Sequence, residues 1–249
     1  MPKTILITGV AGFLGSNLAA DLVGHGHNVI GLDNLSMGRL DNLTPLLSDP
    51  RFVFFKRDVT DPAAFADVDI DLDCVVHLAA FKIPRYGNAI DTLRINYRGT
   101  ENALELAVRA ECKCVLASTS DVYGRNPKLP FAEGDESVIG SSKVARWSYA
   151  VSKLFDEHLG FAYQDSYGIP VTALRFFGSY GPRQPLSWWG ARRQCLSMRP
   201  STESRYRCMV MASRHAASPT SPTLSLQYMP LSSGRKLTAR SSTSGAHPK

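Results

Sequence analysis

Six short runs of β-branched and aromatic residues recur along the first 175 positions. They are TILIT (4–8), NVIGLD (28–33), FVFFKRD (52–58), CVVHLA (74–79), CVLAST (114–119) and VTALR (171–175). Between them NLAADLVGHG, DTLRINYRGTENALELAVRA and SYAVSKLFDEHLGFAYQDSYG space their apolar residues three and four apart, and the first and last close on glycine, as helix C-termini often do. This alternation constrains the fold more than any composition can. Parallel strands need crossovers, the crossovers are right-handed, and their helices cover both faces of the sheet. The sequence therefore predicts an α/β fold built on a doubly wound parallel sheet.

The turn after the first strand, TGVAGFLG, puts Gly9, Gly12 and Gly15 in a GxxGxxG spacing. Without side chains there, backbone N–H groups and a helix N-terminus can approach a pyrophosphate. The second strand ends at Asp33, 18 residues after Gly15, where a carboxylate can accept both ribose hydroxyls of an adenosine and would repel a 2′-phosphate. The nearest base, Arg39, lies six residues on. The pattern favours NAD over NADP. Asp58 closes the third strand and is either a bond to the adenine amine or an ordinary strand-ending aspartate.

Tyr149 and Lys153 stand four apart on a helix and so share a face. Such pairs are common on surface helices; behind a nicotinamide site they acquire a meaning. A free phenol titrates near 10, and a neighbouring ammonium is expected to lower that value and leave a usable base. STSDVYG ends the fifth strand, offering the Ser118, Thr119 and Ser120 hydroxyls at the carboxyl edge of the sheet, where ligands bind in such folds. Asp121 follows, where an aspartate can simply cap a turn.

Eight stretches taken together, TGVAGFLGS, LDNLS, RDVTD, HLAAFK, NYRGTENALE, STSDVYG, YAVSK and RFFGSYGPRQ, resemble the extended short-chain dehydrogenase/reductases, in particular their NAD-dependent nucleotide-sugar epimerases and dehydratases. The resemblance spans residues 3–190. It implies a Rossmann domain with NAD lined by Phe13, Leu14, Asp33, Asn34, Asp58, Val59, Leu78, Ala79, Ala80 and Lys82, and Phe177 beside the nicotinamide. It implies that Asn96 orders the active-site strands, that Thr119 is the catalytic hydroxyl, and that Tyr149 and Lys153 are the base pair. The substrate is then a UDP-sugar, and the helices near 91–110 and 147–167 form a homodimer's four-helix interface. Where the family usually has asparagine this chain has Gly178, removing a contact to the substrate's phosphates. The leading reading is a UDP-sugar 4-epimerase. The Ser120–Asp121 pair resembles the TSE of UDP-glucuronate decarboxylases, which keeps decarboxylation or dehydration as the alternative. A catalytically silent NAD-binding sensor with a basic tail is a second class.

Composition divides the chain near position 190. Residues 191–249 hold ten basic residues against one acid, net +9, with twelve serines, while residues 1–190 hold 18 basic and 21 acidic, net −3. The tail reads as polar and disordered, and the overall charge of +6 comes entirely from it, so nucleic acid is not expected as a partner. In a frame shifted by one base, residues from Cys208 permit HGDGKQTRSFTYVSDTV and residues 237–248 permit HGEVFNIGSPT. These resemble two family motifs at family spacing. The reading is that one nucleotide was lost near Gly190, leaving 191–249 out of frame and the family's small C-terminal substrate domain missing or scrambled. Cys74, Cys112, Cys114, Cys195 and Cys208 show no metal-ligand spacing and are expected as free thiols. A strand begun by Lys3 leaves no room for a signal peptide, and no apolar run approaches the roughly 20 residues of a membrane helix. A cytoplasmic location is expected.

Overall fold

The structure, a computed structural model, describes residues 1–66, 68, 71–82 and 88–185, and the backbone of 212–215. Strand β1 (Thr4–Thr8) feeds helix α1 (Phe13–Gly24), then β2 (Asn28–Leu32), β3 (Phe52–Phe55) and β4 (Cys74–His77). Helix α2 (Ala89–Arg109), β5 (Lys113–Thr119), a 3-10 turn over Ser120–Tyr123, α3 (Trp147–Tyr167), β6 (Val171–Phe176) and β7 (Ala212–His215) follow. The sheet order is β3-β2-β1-β4-β5-β6-β7. The first six strands are mutually parallel, so the predicted doubly wound sheet is what forms.

Each strand sends alternate residues to opposite faces, and each face has its own core. Leu6, Leu32, Val75 and Leu116 pack with Leu104 and Ala107 of α2 on one side. Ile5, Ile7, Val29, Val76 and Val115 pack with Ala19 and Val23 of α1 on the other. Burial on both faces explains why the strands read as continuous apolar runs. Asn88 starts α2 by accepting the Ile90 N–H at 2.9 Å, and Gly168 closes α3 in the left-handed region, as its position after the periodic stretch predicts.

The boundary expected at residue 190, and most of the tail, lie outside the described residues. At 212–215 the backbone pairs antiparallel with β6, from Phe176↔Ala212 to Ala173↔His215. β6 ends the parallel sheet, and the unpaired N–H and C=O groups of an edge accept an extended segment whatever its side chains. Among the described residues no helix is long and apolar enough to cross a membrane. Cys74, Cys112 and Cys114 are buried free thiols. Burial pushes the first up to about 12 and the second to about 11; Cys195 and Cys208 lie outside the described residues.

Candidate active site

The glycine turn is held down by β2: the N–H groups of Gly9 and Val10 both donate to Leu32 O, at 2.8 and 3.3 Å. Gly9 has φ +70°, and a Cβ there would lie 2.8 Å from the Ala79 backbone N, so no L side chain fits this position. A Cβ on Gly15 would lie 2.7 Å from Val10 Cα, so the start of α1 can approach the turn only without one. Gly12 is the N-cap and no side chain caps the helix. The N–H groups and positive end of the first turn are thus left for an anion. Phe13 and Leu14 open α1, half-buried.

Asp33 follows β2 and is 7% exposed. Its Oδ2 accepts the Ala11 N–H at 3.0 Å and its Oδ1 the Leu35 N–H at 2.8 Å. Each oxygen keeps a lone pair for a ribose hydroxyl. Burial pushes this carboxyl above its ordinary value, against the two backbone bonds. Arg39, the next base along the chain, pairs with Asp41 at 2.8 Å. Asn34 Nδ2 donates to Asp58 Oδ2 at 2.8 Å, linking the ends of β2 and β3. Burial alone would raise Asp58, but hydrogen bonds from Thr60 and Asn34 outweigh it and hold the carboxyl low.

Beside this turn, β4 delivers Leu78 and Ala79, whose N–H groups donate to Thr8 O at 3.2 Å and Thr8 Oγ1 at 3.3 Å. Val59 is buried, and its carbonyl accepts from Asn102 Nδ2 at 2.8 Å. Ala80 is half-buried and Lys82 exposed. Asn96, fully buried on α2, accepts the Phe81 N–H at 2.7 Å and donates to Ser152 Oγ on α3 at 2.9 Å. It therefore ties the segment after β4 to the helix that carries Tyr149.

Thr119 ends β5, 8% exposed, and its Oγ1 accepts the Asp121 N–H at 3.2 Å. The threonine is therefore the cap of this turn, not Asp121, whose side chain is exposed. Ser118 is engaged elsewhere, donating to Glu157. Tyr149 and Lys153 do share one face of α3, and both are buried. One expectation fails here. Lys153 Nζ pairs with Asp156 Oδ2 at 3.1 Å, and the Tyr149 phenol is pushed above its ordinary value, first by burial and then by the Asp121 and Asp156 carboxylates. Burial is the larger cause, and the lysine is engaged by a carboxylate on the same helix. Phe177 lies 6.2 Å, ring to ring, from Tyr123, which stacks on Phe131 at 4.5 Å.

Several residues of the site carry no local signal. His77 accepts or donates one bond to Thr8 Oγ1 at 2.8 Å, and burial, then the Lys153 charge, lower it to about 3, so it is neutral. Arg175 on β6 grips Glu157 on α3 at 2.7 Å. Arg183 donates to Ser16 O at 2.6 Å, and Asn17 Nδ2 to Pro182 O at 3.0 Å, which lays the YGPRQ segment against the first turns of α1.

The family model for GDP-mannose 4,6-dehydratase matches residues 6–193. A UDP-N-acetyl-alpha-D-glucosaminuronate decarboxylase of Bacillus cytotoxicus is 37% identical over 187 residues, covering 74% of this chain and 56% of the relative. UDP-glucuronic acid decarboxylase 1 of Arabidopsis thaliana is 38% identical over 188 residues, covering 73% and 41%. Among solved structures, a UDP-galactose 4-epimerase superposes with TM-score 0.66 at 30% identity, covering 80% of this chain and 64% of that one. A dTDP-glucose 4,6-dehydratase from Streptomyces venezuelae, solved with NAD bound, gives 0.66 at 31%, covering 74% and 58%. The chain spans about half the length of the curated relatives it matches. With the parallel sheet, the glycine turn and the Tyr149–Lys153 face in the same order along the chain, this one belongs to the extended short-chain dehydrogenase/reductases, among the NAD-dependent nucleotide-sugar epimerases and dehydratases.

Proposed function

We propose that residues 1–190 form the NAD-binding and catalytic half of a UDP-uronate decarboxylase. The observation that carries this reading is that eight curated relatives at 34–38% identity are named as decarboxylases of UDP-linked uronates. Decarboxylation, the alternative left open beside a 4-epimerase, is therefore the better supported of the two.

NAD held against the glycine turn would supply a hydride acceptor for sugar C4 and a donor for its return. The chain's own residues do the rest. Asp33 takes the adenosine ribose hydroxyls and the α1 N-terminus the pyrophosphate, which fixes the nicotinamide end relative to α3. Tyr149 removes the C4 hydroxyl proton while Thr119 hydrogen-bonds the same oxygen. Once C4 is a ketone, the C6 carboxylate is β to a carbonyl. It leaves as carbon dioxide, its electron pair passing to C5, and the exposed Asp121 carboxylate relays to C5 a proton taken from water. Because the phenol starts high, positive charge must lower it in the complex, from Lys153 and from the nicotinamide ring that the bound cofactor would bring.

The family model's match stops at residue 193, close to the composition change. This supports the reading that the substrate's nucleotide has lost its binding domain here. Binding energy from remote substrate parts is what positions the reacting carbon. The 249-residue chain should then bind NAD and turn over no UDP-glucuronate, whereas a chain with one nucleotide restored near Gly190 should release UDP-xylose. In that chain Tyr149→Phe should abolish turnover and leave NAD bound. Release of UDP-galactose from UDP-glucose instead would revive the epimerase, and conversion by the unrestored chain would refute the out-of-frame reading. The α2–α3 surface exposes Leu93, Tyr97, Val151 and Phe155, with the Tyr97 and Phe155 rings edge-on at 5.6 Å. This face fits a second copy of the chain, and Phe155→Glu should convert a dimer to a monomer in sizing experiments.

A further inference from the structure

Three ionisable side chains of α3, Tyr149, Lys153 and Asp156, stand at i, i+4 and i+7 and therefore on one helix face. Lys153 and Asp156 are 1% and 2% exposed. An ammonium at that depth requires a counter-charge, and the structure supplies it from one helical turn away, Nζ to Oδ2 at 3.1 Å. The other groups around the pair do not replace that charge. His77 of β4 faces Lys153 and is neutral. Thr100 of α2 faces Asp156, but neither its hydroxyl nor Asp156 Oδ1 makes a hydrogen bond of acceptable geometry. Glu157 is taken up by Arg175 and Ser118. Asp121, from the 3-10 turn, acts on Tyr149. Two carboxylates thus act on the tyrosine, and the lysine one turn on along its face is already paired.

We propose that Asp156 is a positioning residue that competes with the Tyr149 phenolate for the Lys153 ammonium. It keeps the lysine charged and fixed in the core, and the tyrosine has to share that cation with it. The proposal deepens the reading of Tyr149 as the base and rests on it.

Tyrosine ionisation, followed by absorbance at the phenolate band, tests this in the full chain without turnover. The Tyr149 contribution is isolated by subtracting the Tyr149→Phe titration. In the unchanged chain no Tyr149 step should appear below about pH 11, the free phenol lying near 10. In Asp156→Asn, compared with Asp156→Asn/Tyr149→Phe, the step should fall by about one unit or more, the range over which a close opposite charge moves a titration. An unmoved step in a folded Asp156→Asn chain overturns the proposal. So does a Tyr149 step below about pH 9 in the unchanged chain, a measurement that stands even where Asp156→Asn fails to fold. Failure of the base reading shows differently, as turnover that survives Tyr149→Phe in the frame-restored chain.

Discussion

Replacing Glu157 by glutamine removes one charge and almost no volume from a buried pair held by several hydrogen bonds. The Arg175 guanidinium donates to the carboxylate three times, at 2.9, 3.3 and 2.7 Å, and the side chains are 6% and 5% exposed. Ser118 donates to the same carboxylate. Arg175 also reaches Glu133 O at 3.1 Å and lies 4.8 Å from the centre of the Tyr123 ring. Burial disfavours its charge, and Glu157 outweighs the burial, holding the guanidinium protonated. With glutamine in place, a buried cation faces an amide. Breaking such a pair from one side costs about 3–5 kcal/mol, a large part of the roughly 5–15 kcal/mol that stabilises a domain. At about 2–4 °C per kcal/mol for a chain of this length, the melting temperature should fall by roughly 6–20 °C. Urea unfolding followed by circular dichroism measures the loss. Glu157→Leu combined with Arg175→Met should recover most of it, because well-packed apolar replacements of a buried pair are commonly neutral or better. A loss below about 1 kcal/mol for Glu157→Gln, the range of an exposed pair, would refute the reasoning. So would a double variant as unstable as the single one.

Gly15→Ala forces a Cβ to 2.7 Å from Val10 Cα, where only backbone can yield. The expected cost is about 1–3 kcal/mol together with loss of the NAD-induced stabilisation, about 2.7 kcal/mol at a hundredfold excess over Kd; an NAD-induced thermal shift equal to the parent's would count against the turn as the pyrophosphate site. His77 is lowered from its ordinary 6.5 to about 3, so its contribution is complete above the unfolded value and is lost as pH falls from 6.5 toward 3. Two pH units below the unfolded value that loss is about 2.7 kcal/mol. Denaturant unfolding between pH 7 and 4.5 should show this slope in the parent and a flatter one in His77→Asn, and equal slopes would rule the histidine out.

The parallel sheet, its three helices and the glycine turn were legible in the sequence because each depends on local signals: periodicity, β-branching and a missing Cβ. Asp33 was legible for the same reason, since a strand end and a fixed spacing put a carboxylate at the edge of the sheet, and the structure adds only that Ala11 and Leu35 hold it. The helical spacing of Tyr149 and Lys153 placed them on one face, and they are on one face. What that face does electrostatically was not legible. The shift expected for Tyr149 came out in the opposite direction, because the sign depends on burial and on which anion wins a shared cation, and both are set by packing among α2, α3 and β4. Arg175 and Glu157 lie 18 residues apart in the chain, and Arg183 meets Ser16 across 167. No spacing rule connects residues so distant, since only the closed fold brings their elements together and removes the water that would otherwise serve each charge.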